Sequence, residues 1–121
     1  FDGDGILDLV AIDENSTAST MRGLANGAYA DPVPLGPASA PYALVVHDVD
    51  RNGRPDVIVG YTRARPIVFF NDGPGRFTPV PFGDDKGVAY GFAVGDVNED
   101  GLLDIVMARS DAVNILYFGA R

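Results

Sequence analysis

The feature that most constrains this chain is an internal repeat of 48 residues. Gly5, Gly53 and Gly101 are separated by 48 positions each time, and an aspartate follows each glycine three residues later. The upstream segments repeat with the same offset, since YALVVHDVD at 42–50 aligns with YGFAVGDVN at 90–98. A fixed period of this length indicates stacked copies of one supersecondary unit, because a single copy is too small to bury its own apolar face.

Each repeat predicts four short strands, which we label a, b, c and d in chain order. Strand a leads into an aspartate-rich loop, strand b leaves it, strand c ends in an aromatic pair, and strand d carries a Pro-Val-Pro segment. Proline has no N–H to donate to a neighbouring strand, so strand d belongs at a sheet edge. Small residues on strand a, such as Ala43 and Gly91, suit a crowded inner position. We therefore predict an all-β chain of β-propeller blades, each with four antiparallel strands.

The repeat divides the chain into three parts. Residues 1–41 hold strands b, c and d of one blade, residues 42–89 a complete blade, and residues 90–121 strands a, b and c of a third. This makes ten strands, or about two and a half blades, whereas a propeller closes with ~4–8 blades. We interpret the chain as a fragment of a longer propeller. The alternative is a protomer that assembles with copies of itself through its incomplete terminal blades.

The aspartate-rich loops have the composition of a cation site. In DVDRNGRPD (48–56) and DVNEDGLLD (96–104), side-chain oxygens fall at loop positions 1, 3, 5 and 9, and a glycine at position 6 permits a sharp turn. Closely spaced carboxylates repel one another unless a cation neutralises them, and calcium prefers six to eight oxygen ligands. The predicted ligands of the two complete sites are Asp48, Asp50, Asn52, the carbonyl of Arg54 and Asp56, and then Asp96, Asn98, Asp100, the carbonyl of Leu102 and Asp104.

A third loop at the start of the chain is incomplete. Asp2, Asp4, the carbonyl of Ile6 and Asp8 match positions 3, 5, 7 and 9, but the residue for position 1 would precede residue 1. We therefore predict a weak or empty site there. The cofactor expected for the chain is calcium, in two complete sites and one truncated site, because magnesium demands a stricter octahedral geometry.

Two other interpretations of these loops were weighed. An EF-hand needs a glutamate at position 12, where this chain has Val59 or Met107, and flanking helices instead of strands. Asp-Gly and Asn-Gly pairs also form turns without any metal. However, nine of the 15 aspartates occupy the proposed ligand positions, and a turn needs only one or two of them. Metal binding explains that distribution better than turn formation alone.

Composition excludes several classes of function. The formal net charge is −8, from 17 acidic and 9 basic residues, which disfavours binding to nucleic acid or to an anionic membrane. No apolar stretch approaches the ~20 residues of a membrane-spanning helix, so membrane insertion is not expected. The chain has no cysteine, and its only histidine, His47, lies beside the first complete loop. No catalytic motif is present, and we predict that the chain is not an enzyme.

Three tyrosines and two arginines offer one further hypothesis. Tyr29, Tyr61 and Tyr90, with Arg63 and Arg65, could form a surface that binds a sugar or a protein. We favour the other interpretation, in which these tyrosines pack between blades.

The loop pattern Asp-x-[Asp/Asn]-x-[Asp/Asn]-Gly-x-x-Asp, followed by a Leu/Val/Ile strand, resembles the FG-GAP and VCBS repeats of integrin α-chain propellers and of secreted bacterial proteins. The resemblance covers essentially the whole chain. It implies about seven blades, an extracellular, cell-surface or periplasmic location, and a role in adhesion or ligand recognition. The FG-GAP signature is only loosely present, as Tyr90-Gly91-Phe92-Ala93, so integrin-like adhesion is not carried over.

The function we expect is a calcium-binding interaction or adhesion scaffold whose partner is a protein or a glycan. The alternatives are a carbohydrate-binding lectin, and the propeller part of a polysaccharide-degrading enzyme.

Overall fold

A computed structural model describes residues 1–13, 17–36 and 40–119 of the chain. The described residues form ten strands and no helix. The strands are β1 (Leu9–Ile12), β2 (Ala18–Met21), β3 (Val33–Leu35), β4 (Pro41–His47), β5 (Asp56–Tyr61), β6 (Ile67–Gly73), β7 (Arg76–Pro81), β8 (Val88–Gly95), β9 (Asp104–Ser110) and β10 (Ile115–Tyr117).

The strands form three antiparallel sheets, which we call the first, second and third blades. Their orders are β1-β2-β3, β4-β5-β6-β7 and β8-β9-β10. The predicted succession b-c-d, a-b-c-d and a-b-c is confirmed, and the described sheets do not close a ring. Strand β4 begins at Pro41 and strand β8 at Val88. Both strands that carry the proline-rich segment, β3 and β7, lie at sheet edges, where a missing N–H costs no hydrogen bond.

Strand pairing repeats with the 48-residue period. The pairs Leu9↔Met21, Val57↔Phe69 and Ile105↔Tyr117 join strands b and c at the same register in the three blades. Because neighbouring residues of a strand face opposite sides of its sheet, this register gives every blade two apolar faces. One face is directed at the preceding blade and the other at the following blade.

The core lies between the blades. Between the first and second blades it includes Ala18, Leu35, Val57, Val59 and Phe69, with Phe1 and Phe77 packed edge to face beside them at 5.6 Å between ring centroids.

Between the second and third blades the core is built from Ile58, Val68 and Ile105, with Phe92 and Tyr117 among the residues packed against them. Val57, Ile58 and Val59 have no exposed surface. Burial of a side chain of this size contributes about 2 kcal/mol, so the inter-blade contacts hold the sheets together.

Strands β4 and β8 each contain a β-bulge at the same place in the repeat. The pairing register shifts between Pro41 and Ala43, and again between Ala89 and Gly91, so the extra residues are Tyr42 and Tyr90. Their ring centroids lie 5.0 Å apart, and the two residues are 40% and 55% exposed. A bulge redirects the side chain of the extra residue. Here the repeat places two tyrosines side by side on adjacent blades.

Candidate metal centre

The aspartate at loop position 9 accepts two backbone hydrogen bonds in each blade. In the second blade the N–H of Val49 donates to Asp56 Oδ2 at 2.8 Å, and the N–H of Asn71 donates to Asp56 Oδ1 at 2.9 Å. In the third blade Val97 and Gly119 donate to Asp104 at 2.9 and 2.8 Å. Each carboxylate therefore joins the start of its loop to the end of strand c, and we call this arrangement the carboxylate clamp.

The first blade has the same clamp with one difference. Gly23 N–H donates to Asp8 Oδ1 at 2.8 Å, as the repeat predicts, while the second donor is the terminal ammonium of Phe1, which forms an ion pair with Asp8 Oδ2. Phe1 lies 48 residues before Val49, so its nitrogen occupies the position from which a backbone N–H donates in the other blades. Asp56 and Asp104 are fully or almost fully buried, at 0% and 1% exposure.

The side chain at loop position 1 organises the turn. Asp48 accepts hydrogen bonds from the N–H groups of Asn52 at 3.0 Å and Gly53 at 2.8 Å. Asp96 accepts from Asp100 and Gly101 in the same way, at 3.1 and 2.8 Å. The loop backbone therefore curls around its first carboxylate.

This curl requires left-handed backbone at two loop positions. Position 6 is Gly53 or Gly101, with φ of 88° and 86°, where glycine pays no steric penalty. Position 4 is Arg51 or Glu99, with φ of 58° and 59°. A left-handed conformation costs a residue with a side chain roughly 1–2 kcal/mol, which the hydrogen bonds to position 1 help to offset.

The oxygen at position 5 is directed at the backbone of position 7. Side-chain oxygens of Asp4, Asn52 and Asp100 accept the N–H of Ile6, Arg54 and Leu102 at 2.8, 2.8 and 2.9 Å. This bond is an Asx turn, which fixes the N–H of the residue whose carbonyl is the predicted backbone ligand. All three loops therefore share one internal framework.

Carboxylates converge in two of the three loops. Oxygen atoms of Asp48, Asp50 and Asp56 lie within 4.8 Å of one another, and so do those of Asp2, Asp4 and Asp8. In the third loop Asn98 replaces aspartate at position 3, and Asp96, Asp100 and Asp104 form no such group among the described residues. The structure thus brings carboxylates together in the loop predicted to be weak, and in one of the two loops predicted to be complete the three carboxylates do not form such a group.

The comparison with protein families agrees with the repeat. The FG-GAP-like repeat family matches residues 1–59 and 48–107, two overlapping segments whose ends are 48 residues apart. The chain belongs to the FG-GAP-like repeat family. The comparisons with curated proteins and with solved structures gave no match. Within the described residues of this FG-GAP-like chain, no helix has the length and apolar character needed to cross a membrane.

In the second loop of this FG-GAP-like chain, electrostatics disfavours an ionised Asp56 carboxylate that has no cation beside it. Burial raises the pKa of Asp56, the hydrogen bonds from Asn71 and Val49 oppose that shift, and the charge of Asp50 adds to it. In the first loop burial also acts to raise the pKa of Asp8, but the Phe1 ammonium and the Gly23 N–H outweigh it and leave that pKa lowered. A cation at the second loop would offset both the burial and the repulsion, because it stabilises the charged form of each carboxylate.

The residues present fit a hard divalent cation. The second loop supplies carboxylates at positions 1, 3 and 9, an amide oxygen at Asn52 and the backbone carbonyl of Arg54, and all of these donors are oxygens. Oxygen-only donor sets with several carboxylates are typical of calcium and magnesium sites in proteins. The same residue types recur in the first loop, where Asp2, Asp4 and Asp8 bring their carboxylate oxygens within 4.8 Å of one another.

The tyrosines considered for a binding surface lie in different environments, and Tyr61 follows the favoured interpretation of packing between blades. Tyr61 is only 1% exposed, and its hydroxyl is buried without a partner among the described residues. That burial raises the pKa of Tyr61 to about 12. Tyr61 therefore packs in the core between blades and contributes nothing to a surface. Tyr90 does lie on the surface, where it pairs with Tyr42, a residue that sequence reasoning missed.

Proposed function

We propose that this chain is a calcium-binding β-propeller module that acts as a rigid extracellular interaction scaffold. The observation that carries the proposal is the convergence of Asp48, Asp50 and Asp56 within 4.8 Å. Two ion pairs are found among the described residues, Phe1–Asp8 and Arg109–Asp84, and neither brings a cationic side chain to this group. A divalent ion would supply the missing positive charge.

Calcium suits the second loop better than magnesium. Calcium accepts six to eight oxygens in flexible geometry at 2.3–2.6 Å, whereas magnesium requires near-ideal octahedral coordination. The role of the chain is to hold the donors in place. Hydrogen bonds from the loop backbone fix positions 1, 5 and 9, so little ordering remains to be done when an ion binds.

A scaffold role follows from the location of the ligands and of the core. The core is formed between the blades, whereas the loops and the two tyrosines at the β-bulges are exposed. A partner would therefore contact loops that are held in place by rigid sheets. Extracellular calcium modules work with dissociation constants of ~10⁻⁴ to 10⁻³ M, which match calcium levels outside the cytosol. We therefore propose an extracellular, cell-surface or periplasmic location and a protein or glycan partner. The absence of catalysis stays a prediction.

Calcium is expected to raise the melting temperature of the chain. At a free concentration ten times the dissociation constant, each occupied site adds about 1.4 kcal/mol to the free energy of unfolding. For a chain of this size that corresponds to roughly 5 °C per site. The measurement is a thermal melt by circular dichroism with calcium, with magnesium and with EDTA. Equal melting temperatures in calcium and EDTA would refute calcium binding.

Two reciprocal variants assign the effect to the loops. Asp50→Asn gives the second loop the asparagine that the third loop has at position 3, and Asn98→Asp gives the third loop the aspartate of the second. Because calcium affinity depends on the charge of the ligand set, we expect the first change to weaken its site by ~10-fold and the second to strengthen its site by a similar factor. Isothermal titration calorimetry measures both. Unchanged affinity in both variants would place the ion elsewhere.

A carbohydrate-binding role is the second candidate, and the Tyr42–Tyr90 pair favours it. The rings are neighbours on adjacent blades and remain substantially exposed, as a surface for stacking an apolar sugar face requires. On a glycan array we expect Tyr90→Ala to lower binding of any captured glycan by ~10-fold. Tyr29→Ala is the matched control, because Tyr29 is 46% exposed and lies in the first blade. Equal loss in both variants, or no captured glycan, would remove this candidate.

A further inference from the structure

Asn52 occupies a position of the repeat at which the other two loops have aspartate. Position 5 is Asp4 in the first loop and Asp100 in the third, and a glycine follows it in all three loops. Asn52 and Gly53 are both exposed. In an asparagine–glycine pair the backbone nitrogen of the glycine reaches the side-chain amide easily, because glycine has no Cβ to obstruct the approach. The second loop therefore contains an amide that is open to attack by its own backbone.

Two hydrogen bonds place around Asn52 the groups that such an attack needs. The N–H of Gly53, whose nitrogen is the nucleophile, donates to Asp48 Oδ2 at 2.8 Å. Asn52 Oδ1, on the carbonyl under attack, accepts the N–H of Arg54 at 2.8 Å. An acceptor beside the nucleophile draws its proton away, and a donor beside the carbonyl oxygen stabilises the negative charge that develops there. Equivalent bonds recur in the third loop, but Asp100 offers a carboxylate, which a nucleophile attacks poorly.

A second asparagine–glycine pair in the chain lacks one of these two features. Asn26 is exposed, and its Oδ1 accepts the N–H of Ala28 at 3.0 Å. Gly27 has a φ of 84°, close to the 88° of Gly53. However, the N–H of Gly27 donates to the carbonyl of Leu24 at 3.1 Å, and a peptide carbonyl is a much weaker base than a carboxylate. The two pairs therefore differ chiefly in the acceptor beside the attacking nitrogen.

We propose that Asn52 is a site of spontaneous deamidation, which converts it to aspartate or isoaspartate without an enzyme. The Gly53 nitrogen forms a bond to Asn52 Cγ and gives its proton to Asp48. The Cγ–Nδ2 bond then breaks, and the amide group leaves as ammonia with the proton that Asp48 took up. Water opens the resulting succinimide ring at either of its carbonyls, so the overall reaction consumes water and releases ammonia. The aspartate product gives the second loop the carboxylate that the other two loops have at position 5.

Peptide mass spectrometry of the folded chain during incubation in EDTA tests the proposal. The peptides that contain Asn52 and Asn26 each report their own rate, through the mass gained when an NH2 group is replaced by OH. We expect Asn52 to react about 10-fold faster than Asn26, a modest part of what a positioned general base contributes. In urea both pairs lose their surroundings, and the two rates should become similar. Because EDTA removes divalent ions, the result does not depend on the proposed calcium sites.

Asp48→Asn tests the acceptor of the Gly53 proton. Asparagine keeps an oxygen for the hydrogen bond but is a much weaker base, so the rate at Asn52 should fall about 10-fold while the rate at Asn26 stays unchanged. Asp85→Asn is the matched control, because Asp85 is an exposed aspartate outside the aspartate-rich loops, and it should change neither rate. Circular dichroism verifies that both variants are folded. The comparison of the two pairs within the unmodified chain needs no variant.

Equal rates at Asn52 and Asn26 in the folded chain would overturn the proposal. So would a ratio of the two rates that is the same in the folded chain and in urea, because the structure would then add nothing to the reactivity of the dipeptide. An unchanged rate at Asn52 in a folded Asp48→Asn variant would also contradict it, since the carboxylate would not be taking up the proton.

Discussion

Replacing Asp56 with alanine is expected to lower the free energy of unfolding by about 4 kcal/mol, even in the absence of any metal. The carboxylate is fully buried and accepts the N–H groups of Val49 and Asn71. Leaving a buried donor unpaired costs about 1–3 kcal/mol, and bonds to a charged acceptor lie at the upper end of that range. Urea denaturation in EDTA measures the change, because the chelator removes any contribution from a bound ion.

Asp56→Asn and Asp85→Ala serve as controls for this prediction. Asparagine retains one acceptor oxygen, so it should lose about half as much stability as alanine does. Asp85 is an exposed aspartate, and its replacement should change stability by less than about 0.5 kcal/mol. If Asp56→Ala proved as stable in EDTA as the unmodified chain, the carboxylate clamp would not support the blade.

Asn71→Ala is expected to cost about 3 kcal/mol by cutting a connection between two blades. The amide Nδ2 of this fully buried residue donates to the carbonyl of Phe1 in the first blade at 2.9 Å and to that of Pro55 at 3.2 Å. Its Oδ1 accepts the N–H of Gly73 at 3.2 Å. Alanine leaves these three partners without their bonds, in a place that water reaches poorly.

The same denaturation experiment measures the effect of Asn71→Ala. Asn26→Ala is the matched control, because Asn26 is exposed and its side chain makes only a local bond to the N–H of Ala28. We expect that control to change stability by less than about 1 kcal/mol. Similar losses in the two variants would show that the inter-blade bond contributes nothing beyond a local turn.

The arrangement of strands could be predicted from the sequence because two independent signals agreed. The 48-residue period placed each strand at an equivalent position, and the prolines at 34, 79 and 81 assigned β3 and β7 to sheet edges. Both signals can be read from the sequence without any knowledge of tertiary contacts. No long-range information was needed to order strands that pair with their nearest neighbours in sequence.

The role of loop position 9 could not be predicted in the same way. A metal ligand and an acceptor for backbone N–H groups both require an aspartate at a fixed spacing, so Asp8, Asp56 and Asp104 fit both interpretations. The structure shows that these carboxylates accept hydrogen bonds from residues 7 positions before and 15 positions after them. Substitution of position 9 therefore tests folding first, and positions 1 and 3 are the better tests of metal binding.

Burial between blades was the other feature that the pattern did not indicate. Asp13, Tyr61 and Arg109 occupy one position of the repeat with three different chemistries, so the period carries no information about that position. Tyr61 is enclosed in the core between the first and second blades, whereas the buried guanidinium of Arg109 donates to the carbonyl of Val113 at 2.7 Å and pairs with Asp84. Only the packing of neighbouring blades distinguishes these environments.

The carboxylate clamp also has a consequence for the order of folding. Its bonds connect residues 7 and 15 positions apart, so the entropy of closing those loops is small, and each hairpin around an aspartate loop is expected to form early. The Asn71–Phe1 bond spans 70 positions and requires two finished sheets to meet. Contact order therefore predicts that individual blades fold quickly, and that their docking limits the rate at which the whole chain reaches its native state.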